Sequence, residues 1–418
     1  MKKTITRFYN LLATDSLYKN SLFLMLNTGV MAVFGFIFWT INARLYSTEQ
    51  VGLGTTLISI MTLLSSFSIL GLGDGLIRYL PASEFKNKKI NTSFTIVLLT
   101  SISISIIYLI FLKTFSPKLL FVKENIVFSL LFILFIAFSA LNEISEYTFI
   151  AYRSSKFVLI KNTISSIVKL ILPILLVALG AYGIFMSMAI AMTLAFLLTL
   201  SLLIIRFNYR PKPMIDKSVV KRMTKFSLGN YTSEFIAGSP SMLMPILITN
   251  LIGARFSAYF YMAMMIVSIL HIIPMATSKS LFAEGSYDET ELRVHLKKAV
   301  KIISIIMIPA IILIFLFGNY VLLVFGKEYS SEGFTLLKLL AISGIFFSVN
   351  VIGGTILKIR YKIKLMILLS FVTSFVILSL SIILLKMNLF GVVGIGISWI
   401  VGQGVLALIY LFLIKKFI

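Results

Sequence analysis

Residues 21–44 read SLFLMLNTGVMAVFGFIFWTINAR, an apolar run that Asn42-Ala43-Arg44 brings to a close. At about 1.5 Å per residue in a helix, a run of this length crosses the roughly 30 Å hydrocarbon core of a bilayer. Lys2, Lys3 and Arg7 ahead of it imitate the charged start of a signal peptide. The run is too long for one, however, and no small-residue cleavage site follows, so it reads as a first membrane span. Residues 1–19, with Phe8, Leu11, Leu12 and Tyr18 set among polar neighbours, read as a segment lying along the membrane interface.

The same pattern recurs along the chain. Twelve spans are expected, at 20–43, 51–72, 90–112, 126–150, 158–179, 183–205, 227–252, 256–278, 298–317, 334–357, 363–385 and 391–414. Of the 418 residues, 59% are hydrophobic and 13% charged, with a mean hydropathy of +1.03. A water-soluble domain carries about a quarter charged residues, so this chain has too little polar surface for one. The runs are continuous, whereas barrel strands alternate over about 10 residues. The expected fold is therefore all-α: a polytopic membrane protein of about twelve transmembrane helices. The absence of cysteine rules out disulfides and thiolate metal sites, and two histidines do not make a zinc or iron centre. Neither a metal nor a cofactor is expected.

The net charge of +23 would suggest nucleic acid in a soluble protein, but its placement argues otherwise. With these spans, 29 of the 38 Lys and Arg fall in the termini, the alternate loops and the span ends that border them, and 7 on the opposite side, leaving Lys169 and Lys338 well inside spans. By the positive-inside rule both termini are then cytoplasmic. The excess is a topology signal and a contact for anionic membrane lipids. No nucleic acid partner is expected.

The longest connection, Arg206 to Phe226, holds seven basic residues with Pro211 and Pro213. It divides the chain into residues 1–205, a basic cytoplasmic linker 206–226, and residues 227–418, with six spans in each half. An even number per half makes any repeat parallel. Leu45-Tyr46-Ser47 through Ile60 aligns with Leu251-Ile252-Gly253 through Ile266, and Leu179-Gly180-Ala181-Tyr182-Gly183 with Met387-Asn388-Leu389-Phe390-Gly391. Two parallel six-helix bundles around a central cleft, rocking to give alternating access, are the expected architecture.

The run Arg44-Leu45-Tyr46-Ser47-Thr48-Glu49-Gln50-Val51-Gly52, followed by Leu70-Gly71-Leu72-Gly73-Asp74-Gly75-Leu76-Ile77-Arg78-Tyr79, resembles the start of polysaccharide-biosynthesis membrane proteins. These are the O-antigen and teichuronic-type oligosaccharide flippases of the multidrug/oligosaccharidyl-lipid/polysaccharide exporter superfamily. The second half is similar at Leu251-Ile252-Gly253, Tyr259, Tyr261-Met262-Ala263, Pro274 and Phe282-Ala283-Glu284. Ala283 departs from the proline expected before the acidic residue, and the two further C-terminal spans of the lipid II flippase branch are lacking. The resemblance implies a lipid-linked oligosaccharide substrate in a plasma or inner cell membrane. Lipids, a glycan polymerase and glycosyltransferases would be its neighbours.

Ionisable residues within spans need a partner or a wet cavity, because burying each costs at least about 2.5–3.5 kcal/mol. Lys169 falls near the middle of span five, either as a cationic site for an anionic head group or in a pair with a carboxylate. Glu143 and Glu146, three apart on span four with Asn142 beside them, share a face and would not both ionise easily. They are a proton or cation site, or partners of loop residues such as Arg153. Glu234 lies about 10 Å into span seven. Gly238-Ser239-Pro240 and Pro245 beyond it are expected to interrupt the helix. His271, a turn before Pro274, is the intramembrane histidine, whether packed or functional.

Asp74 and Arg78 are four apart, as an intrahelical pair or with Arg78 placed to recognise phosphate. Arg44 and Arg255 stand at the outer mouth, and Lys338 is placed to snorkel to the interface. Gly402-Gln403-Gly404-Val405-Leu406-Ala407 imitates a dinucleotide fingerprint, but it lies inside an apolar span with no strand before it. No phosphate-binding loop or catalytic triad is read, so an enzyme is not expected. The flippase reading stands against a cation-coupled multidrug exporter of the same superfamily.

Overall fold

The computed structural model describes residues 16–287, 291–387 and 390–417, so the interfacial reading of residues 1–15 and the turn at Asn388-Leu389 lie outside the described residues. Twelve long helices follow one another: α1 Ser16–Leu45, α2 Thr48–Ser68, α3 Lys86–Ile110, α4 Ile126–Ala151, α5 Lys156–Leu175, α6 Gly180–Phe207, α7 Lys217–Leu251, α8 Ala254–Tyr287, α9 Leu292–Leu323, α10 Lys327–Ile359, α11 Ile363–Lys386 and α12 Val393–Phe417. In lipid every backbone polar group must be satisfied internally, and a helix achieves this within one segment. Eleven of the twelve are long and apolar enough to cross a membrane; α7 falls short in hydropathy. The protein is an all-helical, multi-pass membrane protein.

Two compact units form. One contains α1, Ile60–Tyr231 and hence α3 to α6; the other contains Tyr46–Ser59, the rest of α7 from Thr232, and α8 to α12. Both α2 and α7 therefore contribute one end to each unit.

In the first unit, α2 stops where Leu70 and Gly71 adopt positive φ (51° and 74°), and a short helix, Leu72–Tyr79, follows. A Cβ at Gly73 would lie 2.8 Å from the Tyr147 ring of α4 and one at Gly75 2.7 Å from Met223 of α7, so these two glycines let the short helix lie flush against both. The basic stretch after α6 is a strap. Residues 208–216 run outside any helix, and the N–H groups of Arg210, Lys212, Met214 and Asp216 donate to the side chains of Asn87, Asn91, Thr95 and Thr92 on α3 at 3.0–3.3 Å. Pro211 and Pro213, which have no N–H to place, alternate with these donors. Lys88 closes the ladder on Asp216 at 2.6 Å. The α7 helix begins at Lys217, ten residues earlier than expected, because Asp216 caps it through the N–H of Ser218 and Val219.

Hydrogen bonds from Lys88 and then Ser218 hold the Asp216 carboxyl well below the usual carboxylate range. A depressed folded-state pKa stabilises fully above the unfolded value of about 3.9, and the contribution fades as pH falls toward the folded one. Protection of the strap amides against hydrogen exchange is therefore expected to persist at pH 4 and to drop in Asp216→Asn at pH 7. Equal protection in the two proteins would contradict the clasp.

In the second unit, α10 packs on α8, α9, α11 and α12. The expected break at Pro240 and Pro245 does not occur, and α7 runs unbroken to Leu251. The Ile236 carbonyl, which Pro240 cannot satisfy, instead accepts from the hydroxyls of Ser374 (2.6 Å) and Ser239 (2.8 Å). The Pro245 carbonyl accepts from Thr56 at 3.3 Å. The Ser374 and Ser239 hydroxyls thus take the place of the amide missing at Pro240, and the helix axis survives. Gly52 of α2 packs directly on α8: a Cβ there would meet the Ala254 carbonyl oxygen at 1.8 Å. Backbone cannot step aside, so Gly52→Ala is expected to destabilise by about 3 kcal/mol, measured as a lowered melting temperature in detergent. An unchanged value would refute the contact.

Candidate functional site

The buried face of α5 is polar. Lys161, Asn162, Ser165, Ser166 and Lys169 are buried, while Ile160, Ile164, Ile167 and Ile171 are exposed. A helix in lipid must turn its charges toward protein or water, so this face looks into the first unit, against α1. Asn27 of α1 accepts from the Asn162 amide at 3.0 Å, and the Met31 sulfur lies 3.4 Å from the Ser166 hydroxyl.

Lys161 is fully buried, and its ammonium donates to Glu146 Oε1 (2.9 Å) and Asn142 Oδ1 (2.6 Å). Asn162 donates to the same carboxylate oxygen at 3.0 Å. The sequence count above groups Lys161 with the charges at the loop end of span five; the structure encloses it fully in α5, which starts two residues earlier than expected. It is the candidate residue the sequence reading missed. The signal was present in the spacing 161, 162, 165, 166, 169, one helical stripe whose complementary positions hold isoleucine.

Lys169 lies two turns farther along the same stripe, about 12 Å from Lys161 at 1.5 Å per residue. It is 4% exposed, with its ammonium 5.2 Å from the Phe38 ring centroid. Among the described residues it has no hydrogen-bond or ion-pair acceptor. The α5 helix ends at Leu175, just past the buried Pro173, so Lys169 sits six residues from that end and not at mid-span as expected.

Glu143 accepts from the Ser66 hydroxyl at 3.3 and 3.4 Å, and the Tyr231 hydroxyl donates to the Ser66 carbonyl at 2.7 Å. The two carboxylates thus share a face of α4 but have different partners: a hydroxyl for Glu143, a buried ammonium for Glu146. The two carboxylates are half-buried and Lys169 is buried, so the first unit offers an ammonium to an anion and carboxylates to a cation or proton.

The remaining candidates have other contacts. Arg78 is exposed, its guanidinium 4.1 Å from the Phe226 ring centroid, and Asp74 accepts from the Asn230 amide at 3.1 Å. Arg44 is exposed, as is Arg255, which lies 4.8 Å over the Phe256 ring. Lys338 folds back over Phe334 at 4.4 Å. Glu234 pairs with Lys358 at 3.1 Å, both side chains being more than a third exposed. His271 stacks on Phe347 with ring centroids 4.0 Å apart, and its buried Nε2 has no hydrogen-bond partner among the described residues.

Similar arrangements of helices are known. The chain is similar to an inward-facing multidrug resistance MATE family transporter of the MOP superfamily (14% identity, TM-score 0.73, covering 93% of this chain and 94% of that one). It is also similar to the MATE multidrug transporter DinF-BH, solved as a complex (17%, 0.67, 96% and 95%). A third match is a MOP superfamily transporter from Pyrococcus furiosus whose binding pocket is described as reversed in polarity (14%, 0.65, 96% and 95%). The fold is thus that of MATE transporters of the MOP superfamily. Residues 41–332 match the polysaccharide biosynthesis protein family, and the chain belongs to that family. No curated protein matches the sequence.

Proposed function

We propose that the protein is a flippase carrying a polyprenyl-diphosphate-linked oligosaccharide from the cytoplasmic to the outer leaflet, by alternating access and without catalysing a reaction. The observation that carries this reading is Lys169, an ammonium buried against an aromatic ring with no acceptor of its own among the described residues. A diphosphate supplies the missing counter-charge. The polar stripe on α5 offers amides and hydroxyls to a sugar, while the prenyl chain stays in lipid. The uneven basic charge argues for a strap and termini on the cytoplasmic side. An anion of about two charges then gains roughly 4–5 kcal/mol on moving outward across 100 mV. Membrane lipids, glycosyltransferases and a glycan polymerase are the partners such a substrate implies.

The test is translocation of a labelled lipid-linked oligosaccharide in proteoliposomes. Movement by the wild type that is lost in Lys169→Ala supports the reading, and no movement by the wild type refutes it. A second reading, a cation-coupled multidrug exporter, draws on Glu143, which accepts a hydroxyl but forms no ion pair among the described residues. Efflux of a cationic dye, abolished in Glu143→Gln with no movement of glycolipid, would select it.

A further inference from the structure

Lys161 and Glu146 form an ion pair with an unequal arrangement. The ammonium is fully enclosed, while the carboxylate side chain retains 31% of its exposure. Glu146 is therefore the open side of the pair, and an anion approaching Lys161 meets it first. The surrounding amides suit an exchange. Asn142 holds Lys161 independently of Glu146, so the ammonium stays in place if the carboxylate leaves. Asn162 donates to the same Oε1 that Lys161 holds, so displacement frees an N–H and an ammonium together, pointing at one position. Phosphate oxygens accept from both kinds of donor.

We propose that Glu146 is the internal counter-anion of this site: without substrate its carboxylate clasps Lys161, and an incoming phosphate takes its place. The inference rests on the flippase reading and adds a device to it. An empty carrier with Lys161 uncompensated would hold a costly buried charge during its return. A phosphate held by Lys161 with no competing carboxylate would leave slowly. The clasp neutralises Lys161 in the empty state and competes with the phosphate in the loaded one, so Lys169 alone keeps an unopposed charge for capture.

The experiment measures binding of farnesyl diphosphate, as a short probe of the head group, to the full chain in nanodiscs. Glu146→Gln is expected to bind at least about tenfold more tightly than wild type through slower dissociation. In flipping assays KM and kcat should fall together, a split that loosened packing does not produce. The double variant Glu146→Gln/Lys161→Gln should lose the gain. If Glu146→Gln does not keep the wild-type melting temperature, Glu146→Asp decides, with an expected tightening of about threefold because its carboxylate sits one methylene farther back. Wild-type protein that binds no farnesyl diphosphate overturns the flippase reading itself. Wild-type binding with no tightening in the variants, or a double variant as tight as Glu146→Gln, overturns the counter-anion alone.

Discussion

Lys161→Ala is expected to destabilise the protein by about 3 kcal/mol, read as a lowered melting temperature and earlier aggregation in detergent. Removing one partner of a buried pair leaves the other charge without compensation, which costs about 3–5 kcal/mol. The lower figure applies because Glu146 keeps part of its contact with the surroundings. Asn142 also loses its donor, leaving an amide oxygen to find another. Methionine in place of alanine would restore volume but not charge, so it should recover only part of the loss. A melting temperature within a degree of wild type would show that the pair does not hold α4 to α5.

Lys169→Met is expected to do the opposite: leave the melting temperature unchanged or raise it, and reduce glycolipid flipping at least about 30-fold. No acid opposes this ammonium among the described residues, so replacing it with an apolar chain of similar length removes a desolvation cost and breaks no pair. The lost attraction for a phosphate in a low-dielectric site is about 2 kcal/mol or more, which sets the fold-change. Lys169→Arg keeps the charge and should retain most of the flux. A Lys169→Met protein that flips normally would remove this residue from the site; one that unfolds would mean it has an acidic partner after all. The two lysines, eight residues apart on one helix face, thus separate stability from transport.

Much of the architecture was legible. Eleven of the twelve long helices are written in local runs of apolar residues, and the family resemblance lay in Arg44 to Gly52 and Leu70 to Tyr79, whose glycines make close contacts that side chains would block. What misled was proline. Pro240 and Pro245 signal a broken helix by local rules, yet Ser374, distant in sequence, donates to the Ile236 carbonyl that Pro240 leaves without an amide, and α7 runs unbroken. The strap was also hidden, because its partners Asn87, Asn91, Thr92 and Thr95 are more than 110 residues away.

The sequence by itself determined the membrane class, the number of long helices and Lys169 as a buried charge, since all three follow from composition and spacing within single segments. Only the tertiary structure decided which charges oppose one another: Lys161 with Glu146, Lys358 with Glu234, Asp216 with Lys88. Helix periodicity says which face a residue occupies but carries no information about which other helix that face will meet. The energy of a buried charge depends almost entirely on that neighbour.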